Sequence, residues 1–488
     1  MSNPNGRRKF VLQLAQAAAW LLSWGSALAT SQVPRIKNNQ DVSSTPAKLA
    51  NVRQFGAVAD GETNDTPSFK AAIDTLVASG MGGALYVPTG TYVVGDLLLP
   101  SNIEMFGDGA GSVIKQFKKS AYLVSINSGT GGSADITQNT RRIRIRHLHF
   151  WGDVEKRGFD EHVHLLNVNA CTDLVVTDCT FSGFCGDGIY IGSGNKSGLE
   201  RHNVDIVIRN CTFDGSNGNN RNAISVVDCT GLIIEGCQFR RCSRPNMPGP
   251  IDIEPNAHPF HRIQNIAIRN NQFKECSGGV GTICVFFPVR TYQQPHRGII
   301  IEGNKIDGGG RTNGISLRME GSAKLTDPPL DIQLRGNLVL NTIHPISING
   351  LNGVFAFSND FQDSTKPGLI SHPSHGVAVN VGLIGNRWVQ IGKRADAGLR
   401  IFAGQNVIIT NNVFSDCGVS IGPGGGAINA IGAEHILASA KNNEFNNTAE
   451  RSRYAVRVGA NAPKSYSAAW IAHNRFSSNV IAVLPSGE

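Results

Sequence analysis

The chain has 488 residues, of which 56 are Gly, with only 17% charged residues and a formal net charge of +8. This mild positive excess fits an anionic partner, and the lack of zinc-finger spacing and of a basic helix excludes the common nucleic-acid-binding modules. Many Gly, Asn and β-branched residues, with little helical periodicity, predict an all-β repeat architecture.

Residues 1–29 predict a bacterial export signal. Arg7 and Arg8 precede an apolar run over residues 12–28, which ends at the small-x-small cleavage site Ala27-Leu28-Ala29. Phe10, two positions after the arginine pair, is typical of a twin-arginine signal, and an ordinary secretory signal is the alternative. The run is short and interrupted by polar residues, which argues against a stable membrane anchor. We therefore expect the mature protein in the periplasm or outside the cell, after a disordered lead-in over residues 30–50.

The segment 51–96 predicts a cap at the start of a β-helix. Thr66 is a favourable N-cap residue, and Pro67 suits the first helical position. The apolar residues that follow fall on one helical face: Phe69, Ala72, Ile73 and Leu76. Residues 82–92 then predict a strand, a turn and a second strand. A short amphipathic helix in front of strands can cover the exposed end of a sheet.

From residue 175 the chain repeats one unit, made of an alternating strand, a turn residue and a large apolar anchor. The period is roughly 22–34 residues, which is typical of solenoids. Two positions before the later anchors stands an asparagine: Asn304, Asn337, Asn359, Asn386, Asn412, Asn443 and Asn474. Three earlier units have a cysteine there: Cys179, Cys211 and Cys237. The asparagines predict amide hydrogen bonds between coils and a left-handed turn. The cysteines are interpreted as buried thiols, with some disulfides as the alternative in an exported protein.

A second series of alternating strands follows the anchors. Its segments begin at Gly188, Ala223, Pro250, Thr282, Gly314, Pro345, Gly376, Gly398, Gly418 and Ala455. In each segment the residues of one face are apolar, which indicates that this face is buried and the other is open. Two strands per coil, stacked in parallel, predict a solenoid of about twelve coils.

The N-terminal motifs resemble those of a known family. They are Phe55-Gly56-Ala57, Asp60-Gly61, Asn64-Asp65-Thr66, Gly82-Gly83, Val87-Pro88 and Gly90-Thr91-Tyr92. They are similar to the pectate-lyase-like N-terminal domain shared by rhamnogalacturonases, mannuronan epimerases and many depolymerases. The resemblance implies a single-stranded right-handed parallel β-helix that acts on polysaccharide, so residues 51–488 are expected to form one such domain. It does not imply one reaction, because the polygalacturonase motifs and a convincing epimerase Asp-Pro-His motif are both missing.

One strand of the second series carries two outward-facing carboxylates, Asp252 and Glu254. Residues i and i+2 on one face of a strand have Cα atoms about 6.5–7 Å apart. This spacing suits a pair of carboxylates that flank a glycosidic bond, and the repulsion between two acids raises the pKa of one of them. We therefore predict an exported glycoside hydrolase with Asp252 and Glu254 as its acid/base pair and with no cofactor or metal.

Aromatic and basic residues near this strand are the candidate substrate-binding groups: Tyr190, His258, Phe286, Arg290, Tyr292, Arg318 and Arg400. Aromatic faces stack on sugar rings, and arginines pair with the carboxylates of an anionic polysaccharide. Packing beneath a long loop is the alternative for the aromatic residues. Asp187 and Asp228 are interpreted as turn residues.

Two other functions remain open at this stage. A lyase or C5-epimerase acting on a uronate polymer would use Tyr190, His258, Arg318 or Arg400, with Ca²⁺ as a candidate ion for a lyase. A non-catalytic β-helix that binds carbohydrate or takes part in exopolysaccharide assembly would bind glycan without turnover.

Overall fold

The computed structural model describes residues 48–484, apart from 79, 119, 128–134, 194–200, 373, 394–396, 403, 418–425, 431–435, 449–453, 459–472 and 478–479. The predicted export signal, 1–29, lies outside the described residues, as does most of the predicted lead-in. The fold begins earlier than predicted, because the strand Leu49–Asn51 already pairs with Gly83–Val87.

The chain winds into three parallel sheets, and neighbouring strands in each sheet come from successive turns of the chain. The first sheet contains Leu49–Asn51, Gly83–Val87, Ile103–Gly107, Thr140–Arg146, Cys171–Thr177, Val204–Arg209, Cys229–Glu235, Ile263–Arg269, Arg297–Glu302, Ile332–Arg335, Asn352–Phe357, Ala378–Ile384, Gly404–Thr410 and Ile436–Lys441. The second contains Asp60–Asn64, Gly90–Val94, Ser112–Gln116, His149–Trp151, Thr180–Ser182, Thr212–Asp214, Gln238–Arg240, Gln272–Lys274, Lys305–Asp307, Leu338–Leu340, Asp360–Gln362, Arg387–Val389, Val413–Ser415, Glu444–Asn446 and Arg475–Phe476. The third contains Leu97–Leu98, Tyr122–Asn127, His164–Asn169, Ile189–Ile191, Ile224–Val226, Ile251–Ile253, Ile283–Phe287, Ile315–Met319, Ile346–Asn349, Gly368–Ile370, Ala397–Ile401, Gly426–Ala430, Tyr454–Val458 and Ile481–Leu484. The protein is a right-handed parallel β-helix, as predicted.

Each turn of the solenoid contributes three strands, so the prediction of two strands per coil was wrong. The sheets contain 14, 15 and 14 strands among the described residues, which is also more than the predicted twelve coils. The repeat unit that reads as one strand is bent at a left-handed residue, such as Asp178 with φ 53° or Asn210 with φ 54°. This bend sends the alternating strand into the first sheet and the apolar anchor into the second.

The second series of predicted strands corresponds to the third sheet, with two exceptions. The segment beginning at Gly376 belongs to the first sheet through Ala378–Ile384, and the third-sheet strand of that turn is Gly368–Ile370. The segment beginning at Gly418 falls on residues 418–421, outside the described residues, and the third-sheet strand there is Gly426–Ala430.

The predicted asparagine ladder is confirmed. Asn304 donates from its backbone N–H and from Nδ2 to Oδ1 of Asn337, at 3.0 and 2.9 Å, and Nδ2 also donates to the carbonyl of Ile268 at 2.9 Å. The predicted left-handed turn falls one residue earlier, at Gly303 with φ 62°. In earlier coils the thiols take this column and donate to carbonyls of the preceding coil. All ten cysteines are buried and free.

The core is a row of buried side chains between the sheets. The anchors of the second sheet stack face to face, with ring centroids 4.5–5.0 Å apart, along Phe150, Phe181, Phe213, Phe239 and Phe273.

The N-terminal end is covered by the predicted helix, Thr66–Val77, whose N-cap residue is Asp65 rather than Thr66. The other helical segments are the helix Val154–Arg157 and the 3-10 helices Val52–Phe55 and Ile136–Gln138. Within the described ranges, no helix has both the length and the apolar character needed to cross a membrane.

Candidate functional site

A polar cavity of about 460 Å³ opens on the outer face of the third sheet. It extends from the strand Tyr122–Asn127 to the end of the strand Ile251–Ile253, and its lining includes Tyr190, Asp252 and Glu254. Three of the residues predicted to form a site therefore meet in one cavity. The parallel register explains why, since Tyr190, Ser225 and Asp252 are direct partners on three successive strands.

Strand alternation determines the position of Asp252. Ile251 and Ile253 point into the core and are fully buried, so the side chain between them faces the cavity. Asp252 is nevertheless only 2% exposed, because it lies on the cavity floor, whereas Glu254 is half-buried.

Asp252 is surrounded by polar groups that hold its position. Asn222 Nδ2 donates to its Oδ2 at 3.1 Å, and Nη2 of Arg221 lies 3.8 Å from the same oxygen. Burial raises the pKa of Asp252 well above its usual range, and the charge of Glu254 raises it further, while Arg221 opposes both. A carboxyl in this setting holds its proton where an exposed aspartate is ionised, so Asp252 has the character of a general acid.

Arg221 is the cation of the cavity, and Asp187 fixes it. Nη1 of Arg221 donates to Oδ2 of Asp187 at 3.1 Å and to Ser225 Oγ at 2.9 Å. Asp187 also accepts from the backbone N–H of Asn222 at 3.2 Å and is fully buried. Burial disfavours the charge of Arg221, but Asp187 and Asp252 outweigh it and raise the pKa of the guanidinium. Asp187 is therefore an ion-pair partner and not only the predicted turn residue.

Two rings stack at the other end of the cavity. The ring centroids of His164 and Tyr190 are 4.7 Å apart, and the ring planes are within 6° of parallel. The backbone N–H of Asp187 donates to Nδ1 of His164 at 3.2 Å, which assigns the proton of the neutral imidazole to Nε2. Burial lowers the pKa of His164 and raises the pKa of Tyr190. Both groups are thus neutral near pH 7, and each offers a polar hydrogen.

Asp228 also has a larger role than the turn predicted for it. Its carboxylate is fully buried, lies 2.9 Å from Nδ1 of His202 and accepts the backbone N–H of Arg262 at 2.7 Å. It anchors the loop that follows Glu254. In that loop His258 is exposed, and its ring lies beside Phe260 and His261 rather than in the cavity.

The remaining candidate residues lie on later coils and do not line the cavity. The guanidinium of Arg318 lies 5.1 Å from the ring of Phe286, and the two residues are direct partners on neighbouring strands. Arg290 donates to the carbonyls of Gly321 and Gly350 and so ties loops together. Tyr292 packs edge-on against His296, with ring centroids 4.0 Å apart, and Arg400 lies over Phe402. For Tyr292, packing beneath a long loop fits the structure better than an exposed ring that stacks on a sugar.

Arg221, Asn222 and His164 were not among the residues predicted from the sequence. Arg221 and Asn222 precede the strand Ile224–Val226, so they lie in a turn that strand columns do not include. A signal for Arg221 existed, because it is a basic residue three positions before the strand that pairs with the strand of Asp252. His164 begins a strand that falls before the first recognised member of the second series.

Comparisons with known proteins agree with this architecture. The family model described as Rhamnogalacturonase A/epimerase, pectate lyase-like, matches residues 49–246, and the model described as Right handed beta helix region matches residues 161–387. The chain is 26% identical over 415 residues to the uncharacterized protein YclG of Bacillus subtilis, which covers 75% of this chain and 67% of YclG. It is 28% identical over 249 residues to mannuronan C5-epimerase AlgE1 of Azotobacter vinelandii, which covers 42% of this chain but only 17% of that protein.

A solved structure shows the same fold. The pre-mature gene product 12 of bacteriophage phi29 superposes with a TM-score of 0.60 at 16% identity, over 89% of this chain and 55% of that one. The chain thus spans less than two thirds of both the epimerase and the phage protein. The two matched family segments overlap and together run from residue 49 to residue 387, which includes every residue described above as lining the cavity.

Proposed function

We propose that this protein is an exported enzyme that acts on a polysaccharide, because the chain belongs to the pectate-lyase-like right-handed parallel β-helix superfamily. We further propose that Asp252 and Glu254 are its acid/base pair. One observation carries this assignment. Asp252 is a buried carboxyl on the floor of an open polar cavity, two residues from the half-buried Glu254, and its burial and the charge of Glu254 raise its pKa.

The reaction that this pair supports best is glycoside hydrolysis. Asp252 gives its proton to the glycosidic oxygen as the bond from that oxygen to the anomeric carbon breaks. Glu254 takes a proton from the water that attacks the same carbon. The Cα spacing of about 6.5–7 Å lies nearer to the carboxylate separation of inverting than of retaining enzymes. Arg221 and Tyr190 line the same cavity and are placed to contact sugar hydroxyls or carboxylates.

The test is a panel of polysaccharides with mass analysis of the products. The variants Asp252→Asn and Glu254→Gln keep the shape of each side chain and are expected to reduce turnover by about 10³-fold or more. Glu302→Gln, on the first sheet, is the matched control and should retain full activity. Full activity in both site variants would refute the assignment.

A second reaction is favoured by the opposite end of the cavity. The stacked pair His164 and Tyr190 offers two polar hydrogens, and Arg221 with the protonated Asp252 offers donors for a uronate carboxylate. Elimination and C5-epimerisation both require the uronate carboxylate to be neutralised and a proton donor beside the sugar, and the relative AlgE1 is a mannuronan C5-epimerase. Hydrolysis adds water to the products, elimination creates an unsaturated product that absorbs in the ultraviolet, and epimerisation leaves the mass unchanged. Binding without any of these outcomes would identify a non-catalytic glycan-binding protein.

A further inference from the structure

A serine at the carboxyl end of a third-sheet strand also faces the cavity. Ser193 follows the strand Ile189–Ile191 by two residues and lines the cavity, although only 2% of it is exposed. The sheet keeps its register at this end, because the backbone N–H of Val227 donates to the carbonyl of Ile191 at 2.8 Å. The strand before Ser193 is thus two strand spacings, about 9.6 Å, from the strand of Asp252. Glycosidic cleavage by Asp252 and Glu254 leaves this serine without a role.

An imidazole lies directly beside the hydroxyl of Ser193. Oγ of Ser193 is 3.1 Å from Nε2 of His261, a histidine that is 4% exposed in the loop that follows Glu254. The backbone N–H of His261 donates to the carbonyl of His258 at 3.1 Å and so fixes this part of the loop. A serine hydroxyl within hydrogen-bond distance of a buried imidazole has the geometry of a nucleophile and its general base.

The surroundings of His261 suit a base that gains a positive charge during a reaction. Burial lowers the pKa of His261, and the charges of His258 and His202 add to the lowering, so the ring is neutral near pH 7. The carboxylate of Asp228 and the carbonyl of Asn256 act in the opposite direction. Asp228 is fully buried, so its negative charge is little screened by water and stabilises the imidazolium that forms when His261 takes a proton.

Asn169 supplies a neutral donor next to the serine. It lines the cavity, and its amide lies so close to the backbone of Gly192 that a Cβ at that position would be 2.3 Å from Oδ1. Nδ2 of Asn169 donates one hydrogen to Oδ1 of Asn167 at 3.1 Å, and no acceptor in the described part of the chain takes the second. An amide hydrogen beside a serine nucleophile can stabilise the negative oxygen that develops when an acyl carbon is attacked.

We propose that Ser193 and His261 form a nucleophile–base pair that removes acyl groups, such as O-acetyl groups, from the sugar hydroxyls of a glycan in the cavity. Ser193 Oγ attacks the carbonyl carbon of the ester, and its proton passes to Nε2 of His261. The bond from that carbon to the sugar oxygen breaks, and the sugar oxygen takes the proton from His261. Water then attacks the acyl-serine and gives a proton to Nε2. The carboxylic acid leaves, and Ser193 Oγ recovers that proton.

This activity is distinct from cleavage of the glycan chain, because it uses neither Asp252 nor Glu254. Both pairs line or adjoin one cavity, so a single bound glycan can reach both. The class of substrate is therefore an O-acylated glycan, whose acyl groups are removed in the same cavity as its chain is cut.

The test combines covalent labelling with an assay of ester hydrolysis, both on the full chain. A fluorophosphonate, which modifies serine nucleophiles, is expected to label Ser193, and peptide mass analysis locates the label. The wild type is expected to release acetate from 4-nitrophenyl acetate and from partially acetylated xylo-oligosaccharides. Ser193→Ala should lower the rate of this release by about 10³-fold or more and abolish the label. His261→Gln should lower both rates by about 10²-fold or more.

A serine–histidine contact outside the cavity provides the matched control. Oγ of Ser182 lies 2.6 Å from Nε2 of His149 on neighbouring strands of the second sheet. Burial lowers the pKa of His149 too, but among the described residues no carboxylate acts on that ring, and Ser182 does not line the cavity. Ser182→Ala should therefore leave labelling and acetate release unchanged.

The outcomes separate this pair from the carboxylate pair. Acetate release that is unchanged in a folded Ser193→Ala variant, or a label that reaches Ser182 as fast as Ser193, overturns the proposal. Thermal melting checks the fold of each variant, and if Ser193→Ala does not fold, the position of the label in the wild type decides. Loss of acetyl groups with no change in chain length supports Ser193 and His261 and refutes the glycosidic reaction. Chain cleavage with neither acetate release nor a label on Ser193 does the reverse.

Discussion

Nη1 of Arg221 lies 3.1 Å from Oδ2 of the buried Asp187, and this ion pair holds the guanidinium within 3.8 Å of Asp252. A single arginine is thus shared between two carboxyl groups, of which Asp252 has a raised pKa. The distribution of charge around Arg221 therefore influences the pKa of Asp252.

Asp187→Asn is expected to move the alkaline limb of the pH–rate profile to lower pH. The substitution removes a negative charge that raises the pKa of Asp252, and it releases Arg221 to pair with Asp252 more closely. The pKa of Asp252 then falls, and the protonated acid is lost at a lower pH. Asp228→Asn is the matched control, because Asp228 is equally buried and paired with a histidine outside the cavity. It should destabilise the fold without moving the limb.

The stability of the protein should depend on pH through Asp252. Its pKa in the folded state is raised above the unfolded value. The contribution of Asp252 to stability is therefore fully present below the unfolded pKa and is lost as the pH rises through the folded pKa. This group alone gives a slope of at most about 1.4 kcal/mol per pH unit. Melting temperatures of the wild type and Asp252→Asn, measured between pH 4 and pH 9, should diverge in favour of the variant as the pH rises. Parallel curves would contradict the raised pKa.

Tyr190→Phe separates the two candidate reactions. The substitution keeps the ring that stacks on His164 and removes the hydroxyl. Hydrolysis by Asp252 and Glu254 predicts a decrease in kcat of less than about tenfold, since the hydroxyl then only contacts substrate. A loss of about 10³-fold would instead make Tyr190 an acid or base of the reaction, as elimination or epimerisation requires.

Asn337→Ala should weaken the solenoid. Asn337 accepts two hydrogen bonds from Asn304 and donates to Asn359 Oδ1 and to the carbonyl of Ile301. Alanine leaves these buried groups without partners, at a cost of about 2–4 kcal/mol. Urea unfolding provides the measurement. Asn217→Ala, at an exposed turn, should change stability by less than about 0.5 kcal/mol, and equal effects at the two sites would count against the ladder.

The ten cysteines should resist thiol reagents until the protein unfolds. Burial raises the pKa of Cys171 and of Cys417 to about 12, so their thiolate forms are scarce at neutral pH. Titration with a colorimetric thiol reagent should detect few groups in the native protein and all ten in denaturant without a reductant. A lower total in denaturant would show that some of the cysteines form disulfides.

Periodicity in the sequence was sufficient to predict the solenoid, its helical cap and the position of the carboxylate pair. The asparagine column and the alternating residues around Asp252 repeat in register, so their faces can be assigned without coordinates. The third strand of each turn was missed because a left-handed residue such as Asp178 bends the chain without interrupting the apolar pattern. The strand Gly368–Ile370 was missed because it is short and begins with glycine.

The rest of the cavity is harder to predict for a physical reason. Arg221 and Asn222 reach Asp252 from a turn, where no alternation determines the direction of a side chain. The burial of Asp187 and Asp228 depends on partners 34 residues away, such as Arg221 and the N–H of Arg262. Such distances along the chain become contacts only when successive coils stack.

The arrangement of the cavity residues on successive strands has a consequence for how such a protein can diverge. Arg221 and Asp252 belong to neighbouring turns, and each turn repeats the same ladder and anchor positions. Insertion of one whole turn between the strands Ile224–Val226 and Ile251–Ile253 would leave the stacking rules intact and move the two groups apart by about 4.8 Å. The distance between cation and acid is therefore adjustable in steps of one strand spacing, by gain or loss of repeats. A protein of this kind can therefore change the spacing between the two groups without altering its core.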